Sequence, residues 1–357
     1  MRAAAVSNQP DSPGITVSDW PEPKIPPGWA LVELQRAALN RHDEMSLRDP
    51  ASLPGPSILG SDGAGVVAGM GEGVTGLRIG EEVVISPSLF WGSAPEAPGD
   101  RFEILGSPTH GTHAEMVVVP AENLLPRPSR LSWDEAAALP LAGVTAWRAL
   151  VTRGRLRAGE TVIIAAASSG VGSLAIQIAA ALGARVIAVT SERNLAAARS
   201  IGADHVLSRT SSDLAEELTR ASDGGAHLAL DPTGALWQPL VQGLRPAGRL
   251  VSVGRMASDT AAVHVATVFW KQLDILGSSM GSAEDFRALL QHVERSSWAP
   301  VVDSTHPLEH ISAAYARLDH PERFGKVVID VSKERTTLHM LLGQSDHPCA
   351  VDPGAFM

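Results

Sequence analysis

The clearest pattern of hydrophobic and polar positions lies between Thr161 and Thr190, where two apolar runs flank a glycine-containing turn and an alanine-rich helix. Residues 162–166 are apolar without a polar interruption, which is typical of a parallel strand that is covered on both faces. The predicted helix ends at Gly183, before a second apolar run at residues 186–189. The pattern therefore predicts a strand, a turn, a helix and a second strand in one crossover unit.

An anion-binding site is predicted at the turn after the first strand, Ala167-Ser168-Ser169-Gly170-Val171-Gly172. The two glycines permit a tight turn and a close approach to the backbone, and the free amides of the following helix point toward a pyrophosphate. Ala167 and Ser169 replace the first two glycines of the common GxGxxG pattern, so the prediction of a dinucleotide-binding α/β domain also depends on further strand-like segments. These segments lie at residues 205–208, 228–230, 249–253 and 273–276.

Residues 1 to about 125 show a different pattern, in which short apolar pieces alternate with glycine- and proline-rich turns. The strand-like pieces lie at residues 2–6, 29–34, 65–68, 82–85 and 114–119. They predict a small, irregular β-rich domain. After Ser278, a helix near residues 283–294 leads to a last strand within residues 324–329, which we expect to return to this first domain.

We therefore divide the chain into a discontinuous β-rich domain of residues 1–125 and 283–332 and a cofactor-binding domain of residues 126–282. The length of 357 residues exceeds the usual size of one compact core, which favours two domains. Residues 333–357 are polar and mixed without sustained periodicity, so we expect a partly disordered extension there.

Composition and charge narrow the range of partners. A formal net charge of −10 with scattered arginines argues against a nucleic-acid or anionic-membrane surface. No apolar run approaches the roughly 20 residues of a membrane span, and the first residues lack the apolar core of a signal peptide. The single cysteine, Cys349, excludes an intrachain disulfide and a thiolate-rich zinc cluster. We expect a cytoplasmic protein that acts on small molecules.

Seven motifs follow one another between Met1 and about Val331. They are ALNRHD (38–43), LGSDGAGVV (59–67), GTHAEMVVVP (111–120), AAALPLAGVTAW (136–147), SSGVG (168–172), LGSSMG (276–281) and FGKVVI (324–329). Their order resembles that of the medium-chain dehydrogenase/reductase superfamily, and most closely its zinc-free, quinone oxidoreductase-like branch. The resemblance implies an α/β fold with a doubly wound parallel Rossmann sheet, a GroES-like β-rich catalytic domain and a cleft between them. It also implies a homodimer or homotetramer that pairs its Rossmann sheets.

The positions that match zinc ligands predict that this chain binds no zinc. In the zinc-dependent alcohol dehydrogenases of the superfamily, a cysteine occupies the place of Asn40, a His-Glu pair follows the glycine that matches Gly60, and a four-cysteine lobe fills the region near residues 90–104. This chain has Ser61-Asp62 after Gly60 and no cysteine in the lobe region. Three histidines remain as candidates for a different metal site, although hydrogen-bonding or surface roles are the more common interpretation. They are His42, His110 and His113.

Without zinc, reduction of a conjugated acceptor is the favoured chemistry. Zinc polarises an alcohol or carbonyl oxygen, and an isolated ketone without it loses several kcal/mol of charge stabilisation. An enone, an enoyl thioester or a quinone spreads the incoming charge over its own π system, so hydrogen-bond donors suffice. Two alternatives remain open. One is a zinc-free alcohol dehydrogenase or ketone reductase that uses donors such as His42 or His110, and the other is a catalytically silent NADPH-binding interaction protein.

The residues after the second strand favour NADPH over NADH. NAD-binding folds usually place an acidic residue at the end of this strand, whereas the chain has Thr190-Ser191-Glu192-Arg193. Ser191 and Arg193 are suited to bind a 2′-phosphate, with Glu192 directed away. NADH stays possible, because Glu192 could instead serve the ribose while Arg193 faces solvent.

The resemblance also implies two catalytic residues in the cleft. Asn40 matches an asparagine near the nicotinamide and is expected to orient or polarise the reacting site, with a turn-stabilising role as the alternative. Asp43 lies at the cleft in the resemblance, and its alternative is a carboxylate at a helix N-terminus. The expected cofactor contacts are Thr145, Ser169, Gly170, Val171, Gly172, Thr190, Ser191, Arg193, Gly254, Ser278, Met280 and Lys326.

Overall fold

The computed structural model of the protein describes residues 1–7 and 14–332, so the predicted extension at residues 333–357 lies outside the described residues. The strands are β1 (Arg2–Val6), β2 (Ile15–Asp19), β3 (Trp29–Ala38), β4 (Ser57–Ile58), β5 (Asp62–Met70), β6 (Glu82–Ile85), β7 (Ser88–Leu89), β8 (Glu103–Ile104), β9 (Met116–Pro120), β10 (Leu124–Pro126), β11 (Thr161–Ile164), β12 (Arg185–Thr190), β13 (His205–Ser208), β14 (Ala226–Asp231), β15 (Leu244–Ser252), β16 (Asp274–Gly277), β17 (Val302–Pro307) and β18 (Lys326–Asp330). The α-helices are α1 (Arg41–Arg48), α2 (Trp133–Ala138), α3 (Pro140–Trp147), α4 (Gly170–Ala181), α5 (Leu195–Ser200), α6 (Leu214–Ala221), α7 (Trp237–Gly243), α8 (Val265–Trp270), α9 (Ala283–Arg295) and α10 (Ile311–Leu318). A π-helix, Arg148–Arg153, continues α3.

Six parallel strands form one sheet in the order β13-β12-β11-β14-β15-β16. Alternate residues of β11 face opposite helix layers: Val162 and Ile164 pack in the core that contains α3 and α4, whereas Ile163 packs with α6 and α7. This two-sided burial explains why residues 162–164 of the strand are all apolar. The strand order reverses between β11 and β14, which opens a crevice at the carboxyl ends of the strands. The predicted doubly wound Rossmann sheet is confirmed.

The β-rich part contains a mixed sheet in the order β10-β6-β5-β3-β18-β17, in which β9 also pairs with β3. Ala30, Val32 and Leu34 of β3 are fully buried at alternate positions, so one face of this strand covers the core. The last strand, β18, pairs antiparallel with β3, with Val328 opposite Ala38. The C-terminal part of the described chain therefore returns to the β-rich sheet.

Helix α9 belongs by its contacts to the helix layer of the parallel sheet, although we expected residues 283–332 in the β-rich domain. Phe286, Leu289 and Val293 lie on one side of α9 and pack in the same core as α3 and α4. Their spacing follows the helical period, so the helix buries one apolar stripe against this layer. Among the helices of the described residues, none is long and apolar enough to cross a membrane.

A buried arginine holds the cysteine-free loop that contains Pro95 and Glu96. Nη1 of Arg148 donates to Asp285 Oδ2 at 2.7 Å, and Nη2 donates to the carbonyl oxygens of Pro95 and Glu96 at 2.8 Å each. Its guanidinium also lies 4.9 Å from the centre of the Trp91 ring. Polar contacts to one arginine thus attach this cysteine-free loop to α9.

Candidate active site

The turn between β11 and α4 is shaped by close backbone contacts. Strand β11 ends at Ile164, two residues earlier than predicted, because Ala166 takes the left-handed conformation with φ +48°. Ser169 caps the helix, since its Oγ accepts a hydrogen bond from Gly172 N at 2.9 Å. A Cβ on Gly172 would lie 2.3 Å from the carbonyl oxygen of Ala166, so a side chain at this position would displace the turn. The free amides at the start of α4 suit an anion.

Buried polar atoms without partners lie at the carboxyl edge of the parallel sheet. Thr190 Oγ1, Asp231 Oδ2 and Ser278 Oγ have no hydrogen-bond partner among the described residues. They end or follow β12, β14 and β16, on the side where such sheets bind ligands. Buried polar groups are normally hydrogen-bonded, so this edge fits a polar dinucleotide. Thr190 and Ser278 were predicted, but Asp231 was missed, although its place at the end of an apolar strand could have indicated it.

The predicted 2′-phosphate residues lie beyond β12. Ser191 is half-buried and precedes the 3-10 turn Glu192–Asn194, in which Arg193 is exposed. Arg209, which we did not predict, follows β13, and its backbone N donates to Thr190 O at 2.8 Å. Arg209 is exposed as well. Two arginines therefore flank the end of β12.

Of the other predicted cofactor contacts, Gly254 follows β15, Met280 follows β16 and Thr145 lies in α3. A Cβ on Gly254 would lie 2.5 Å from Pro232 O, so glycine allows the chain after β15 to approach the loop after β14. Met280 is buried and has φ +48°. Thr145 lies within α3, next to Val144, whose carbonyl oxygen would lie 3.2 Å from a Cβ on Gly281, and its Oγ1 donates to Leu141 O at 2.7 Å.

Lys326 is at the centre of a buried polar cluster rather than at the open edge. Its side chain is 3% exposed, and its Nζ donates to Leu39 O at 2.8 Å, to Asn40 Oδ1 at 2.5 Å and to Asp62 Oδ2 at 2.8 Å. Asp62 is fully buried and accepts two further bonds, from Asn40 Nδ2 at 2.9 Å and from Leu141 N at 2.7 Å. The cluster of Asn40, Asp62 and Lys326 thus joins the β-rich sheet to the start of α3.

Asp43 lies next to this cluster, at the first turn of α1. Its Oδ2 accepts from Asn40 N at 2.8 Å and its Oδ1 accepts from Ser61 Oγ at 3.0 Å. The pKa of Asp43 is raised to about 7, mainly by burial and in smaller part by the negative charge of Asp62. Asp43 thus bonds to the backbone at the N-terminus of α1, which agrees with its alternative interpretation as a helix-terminal carboxylate. Its catalytic role stays a prediction.

The residues at the matching positions do not fit a zinc ion. Asp62 Oδ2 already receives the ammonium of Lys326 and the amide of Asn40, and a fixed positive charge opposes a metal cation. Within the described ranges, no group of three or more His, Cys, Asp or Glu side chains could hold a metal ion. The three candidate histidines do not converge. Burial and the charge of Lys326 lower the pKa of His113 to about 3, so this imidazole is neutral.

Comparisons with known proteins agree with this architecture. A model of the alcohol dehydrogenase GroES-like domain matches residues 26–129, and a zinc-binding dehydrogenase model matches residues 170–295. A zinc-type alcohol dehydrogenase-like protein of Schizosaccharomyces pombe is 30% identical over 322 residues, which cover 86% of this chain and 92% of that protein. An acryloyl-coenzyme A reductase of Metallosphaera sedula is 29% identical over 343 residues, covering 92% and 99%. The crystal structure of an NAD-dependent alcohol dehydrogenase superposes with a TM-score of 0.86 and 38% identity, covering 93% and 100%.

The parallel sheet, its glycine turn and the polar atoms at its edge define an oxidoreductase that uses a nicotinamide cofactor. With matches over both domains, the chain belongs to the medium-chain dehydrogenase/reductase superfamily. The predicted superfamily is confirmed, whereas the quinone oxidoreductase-like branch stays a prediction.

We expect the protonation of Asp43 to make stability depend on pH between about 4 and 7. The folded protein binds this proton more tightly than the unfolded chain, because burial raises the pKa of Asp43. The free energy of unfolding of the wild type, relative to that of Asp43→Asn, therefore falls by about 4 kcal/mol as the pH rises through this range. Urea unfolding at a series of pH values measures this difference, and a flat difference would contradict the burial of an acid here.

Proposed function

We propose that this chain is an NADPH-dependent, zinc-independent reductase of a conjugated carbonyl compound, such as an enone or enoyl thioester, or of a quinone. The observation that carries the proposal is the Lys326 ammonium, which lies 2.8 Å from Asp62 Oδ2, where zinc-dependent members have their His-Glu pair. A cation bound in this way disfavours a metal ion in the same place. The likeness to an acryloyl-coenzyme A reductase over 99% of that protein supports an activated double bond as the substrate.

The chain offers hydrogen-bond donors for the acceptor oxygen. NADPH, when bound at the carboxyl edge of the sheet, supplies a hydride. The side chain of Asn40 carries two N–H groups, and one of them is bonded to Asp62. The other is suited to stabilise the negative charge that develops on a conjugated oxygen.

The chain also stores a proton close to the proposed reaction site. With a pKa of about 7, the buried Asp43 carboxyl is partly protonated at neutral pH. Its Oδ1 lies 3.0 Å from Ser61 Oγ, which is one residue from Asp62. The carboxyl and hydroxyl form a two-group path along which a proton can move within this part of the β-rich domain.

A panel of acceptors tests the proposed reaction. We expect kcat/KM with NADPH to be at least about tenfold higher for acryloyl-coenzyme A, an enone or a quinone than for a simple ketone or aldehyde, because only the conjugated acceptors delocalise the charge without a metal. Activity should persist after treatment with a zinc chelator. Comparable efficiency with simple carbonyls would favour the ketone reductase, and tight NADPH binding without any oxidation would favour the silent binding protein.

Preference for NADPH is proposed from the residues after β12. Ser191, Glu192 and Arg193 follow this strand in sequence, and the backbone N of Arg209 bonds to Thr190 O at its end, so the fold brings two arginines and one glutamate to this point. Arginine binds phosphate by paired, charge-assisted hydrogen bonds. The 2′-phosphate of NADPH would meet a net positive charge at this edge.

Substitution of these arginines should weaken the binding of NADPH and not that of NADH. We expect Arg193→Ala and Arg209→Ala each to raise the Kd for NADPH by roughly tenfold, because each removes a charged phosphate contact, and to leave the Kd for NADH unchanged. Titration of the cofactor by fluorescence measures both constants. Arg199→Ala, an exposed arginine near the end of α5, is the matched control. Equal affinity of the wild type for NADPH and NADH would contradict the phosphate site.

A homodimer that pairs two Rossmann sheets is proposed from the edge strand β16. One side of β16 is unpaired among the described strands, and its Ile275 is 39% exposed, close in sequence to Phe269 at 52% and Trp270 at 77%. An exposed strand edge with apolar neighbours favours pairing with a second copy.

Light scattering after gel filtration tests this interface. We expect the wild type to be a dimer or a tetramer. The double variant Trp270→Glu/Ile275→Lys should form an assembly of half that mass or less, because charges at a buried edge oppose association. Ile79→Lys, at an exposed apolar residue of the β-rich domain, is the control. A monomeric wild type at micromolar concentration would contradict the proposal.

A further inference from the structure

The ammonium of Lys326 has no proton left for a ligand. An ammonium carries three N–H donors, and those of Lys326 are directed to Leu39 O at 2.8 Å, Asn40 Oδ1 at 2.5 Å and Asp62 Oδ2 at 2.8 Å. In this arrangement, Lys326 cannot donate to a cofactor or substrate without breaking one of these bonds. These bonds indicate that Lys326 influences the site through Asn40 and Asp62.

The two charged neighbours fix the orientation of the Asn40 amide. Its oxygen accepts from the Lys326 ammonium, and its nitrogen donates to the Asp62 carboxylate at 2.9 Å. A flipped amide would place its N–H groups against the ammonium and its oxygen against the carboxylate, so both contacts would become repulsive. The ion pair therefore selects one of the two orientations.

One amide proton of Asn40 remains available. The nitrogen carries two protons, and the bond to Asp62 is its only recorded hydrogen bond among the described residues. The positive charge next to the amide oxygen also polarises the amide and strengthens its remaining donor.

The cluster lies beside the turn that is suited to the dinucleotide. A Cβ on Gly170, the first residue of α4, would lie 2.8 Å from Lys326 Cδ. On the other side, Asp62 accepts the backbone N–H of Leu141, near the start of α3. The Asn40 amide is therefore held at the junction between the β-rich sheet and the cofactor domain.

We propose that Lys326 and Asp62 are positioning residues that hold the Asn40 amide with its second N–H directed to the oxygen of the reduced acceptor. The inference rests on the proposed function. In that reaction a hydride with its two electrons passes from NADPH to the electrophilic carbon, NADP⁺ remains, the π electrons move to the acceptor oxygen, and one proton from water completes the product. A buried ion pair is weak evidence of stability, whereas control over one amide orientation gives this pair a function.

Steady-state and binding measurements separate this role from direct cofactor binding. We expect Lys326→Met and Asp62→Asn each to lower kcat by at least about tenfold, because the donor loses its orientation, and to change the Kd for NADPH by less than about twofold. The double variant should lose no more than the more severe single variant, because both changes disable the same unit. Arg148→Met, which breaks an equally buried ion pair with Asp285 outside the cluster, should leave kcat within about twofold. A raised Kd for NADPH with unchanged kcat in Lys326→Met would overturn the proposal.

Nuclear magnetic resonance tests the orientation without turnover. The chain has four asparagines, Asn8, Asn40, Asn123 and Asn194, so selective ¹⁵N-asparagine labelling gives four side-chain amide pairs, and the pair lost in Asn40→Asp belongs to Asn40. We expect its two protons to be well separated in the wild type and to shift in Lys326→Met, in the milder Lys326→Arg and in Asp62→Asn, which adds a fifth asparagine pair to the spectrum. An Asn40 pair at the position of a solvent-exposed amide in the wild type would overturn the positioning role. If the wild type reduces no conjugated acceptor, the proposed function fails, while this spectrum still decides the orientation.

Discussion

The buried ion pair between Lys326 and Asp62 is the constraint on which the arrangement of the site depends. The two side chains are 264 positions apart in the sequence and both are nearly inaccessible, so neither charge can be left without its partner at low cost. Each also binds Asn40, and Asp62 reaches the first turns of α3 through Leu141 N. The β-rich sheet and the cofactor domain are thus linked through polar contacts at the point where the cleft is expected.

The parallel sheet could be predicted from sequence because each central strand is buried on both faces and therefore contains an uninterrupted apolar run. The limits of β1, β6 and β13 agree with the prediction. Strands β2 and β17 were missed, since their sequences ITVSD and VDSTHP are polar and partly exposed. Residue 166 was predicted to end β11, but its left-handed backbone ends the strand earlier, and no hydrophobic pattern indicates such a conformation.

The candidate site was predictable where residues lie close together in a motif and not where distant segments meet. The glycine turn, Thr190 and Ser278 follow strands that the pattern shows. Asp62 was recognised only as a replacement for a zinc-binding residue, because nothing local indicates that an ammonium from the last strand reaches it. Lys326 was expected at the cofactor, yet its bonds face Asn40 and Asp62. Arg209 was missed for the same reason, since its proximity to Thr190 comes from sheet pairing.

The zinc content of the purified protein tests most directly whether the Lys326 ammonium stands in place of a metal. The measurement requires expression in zinc-supplemented medium, elemental analysis, and assay of NADPH-dependent reduction before and after chelation. We expect zinc well below one ion per chain and unchanged activity after chelation, because Asp62 is neutralised by Lys326 and Asn40 is a poor zinc ligand. One zinc ion per chain, lost together with activity on chelation, would contradict it.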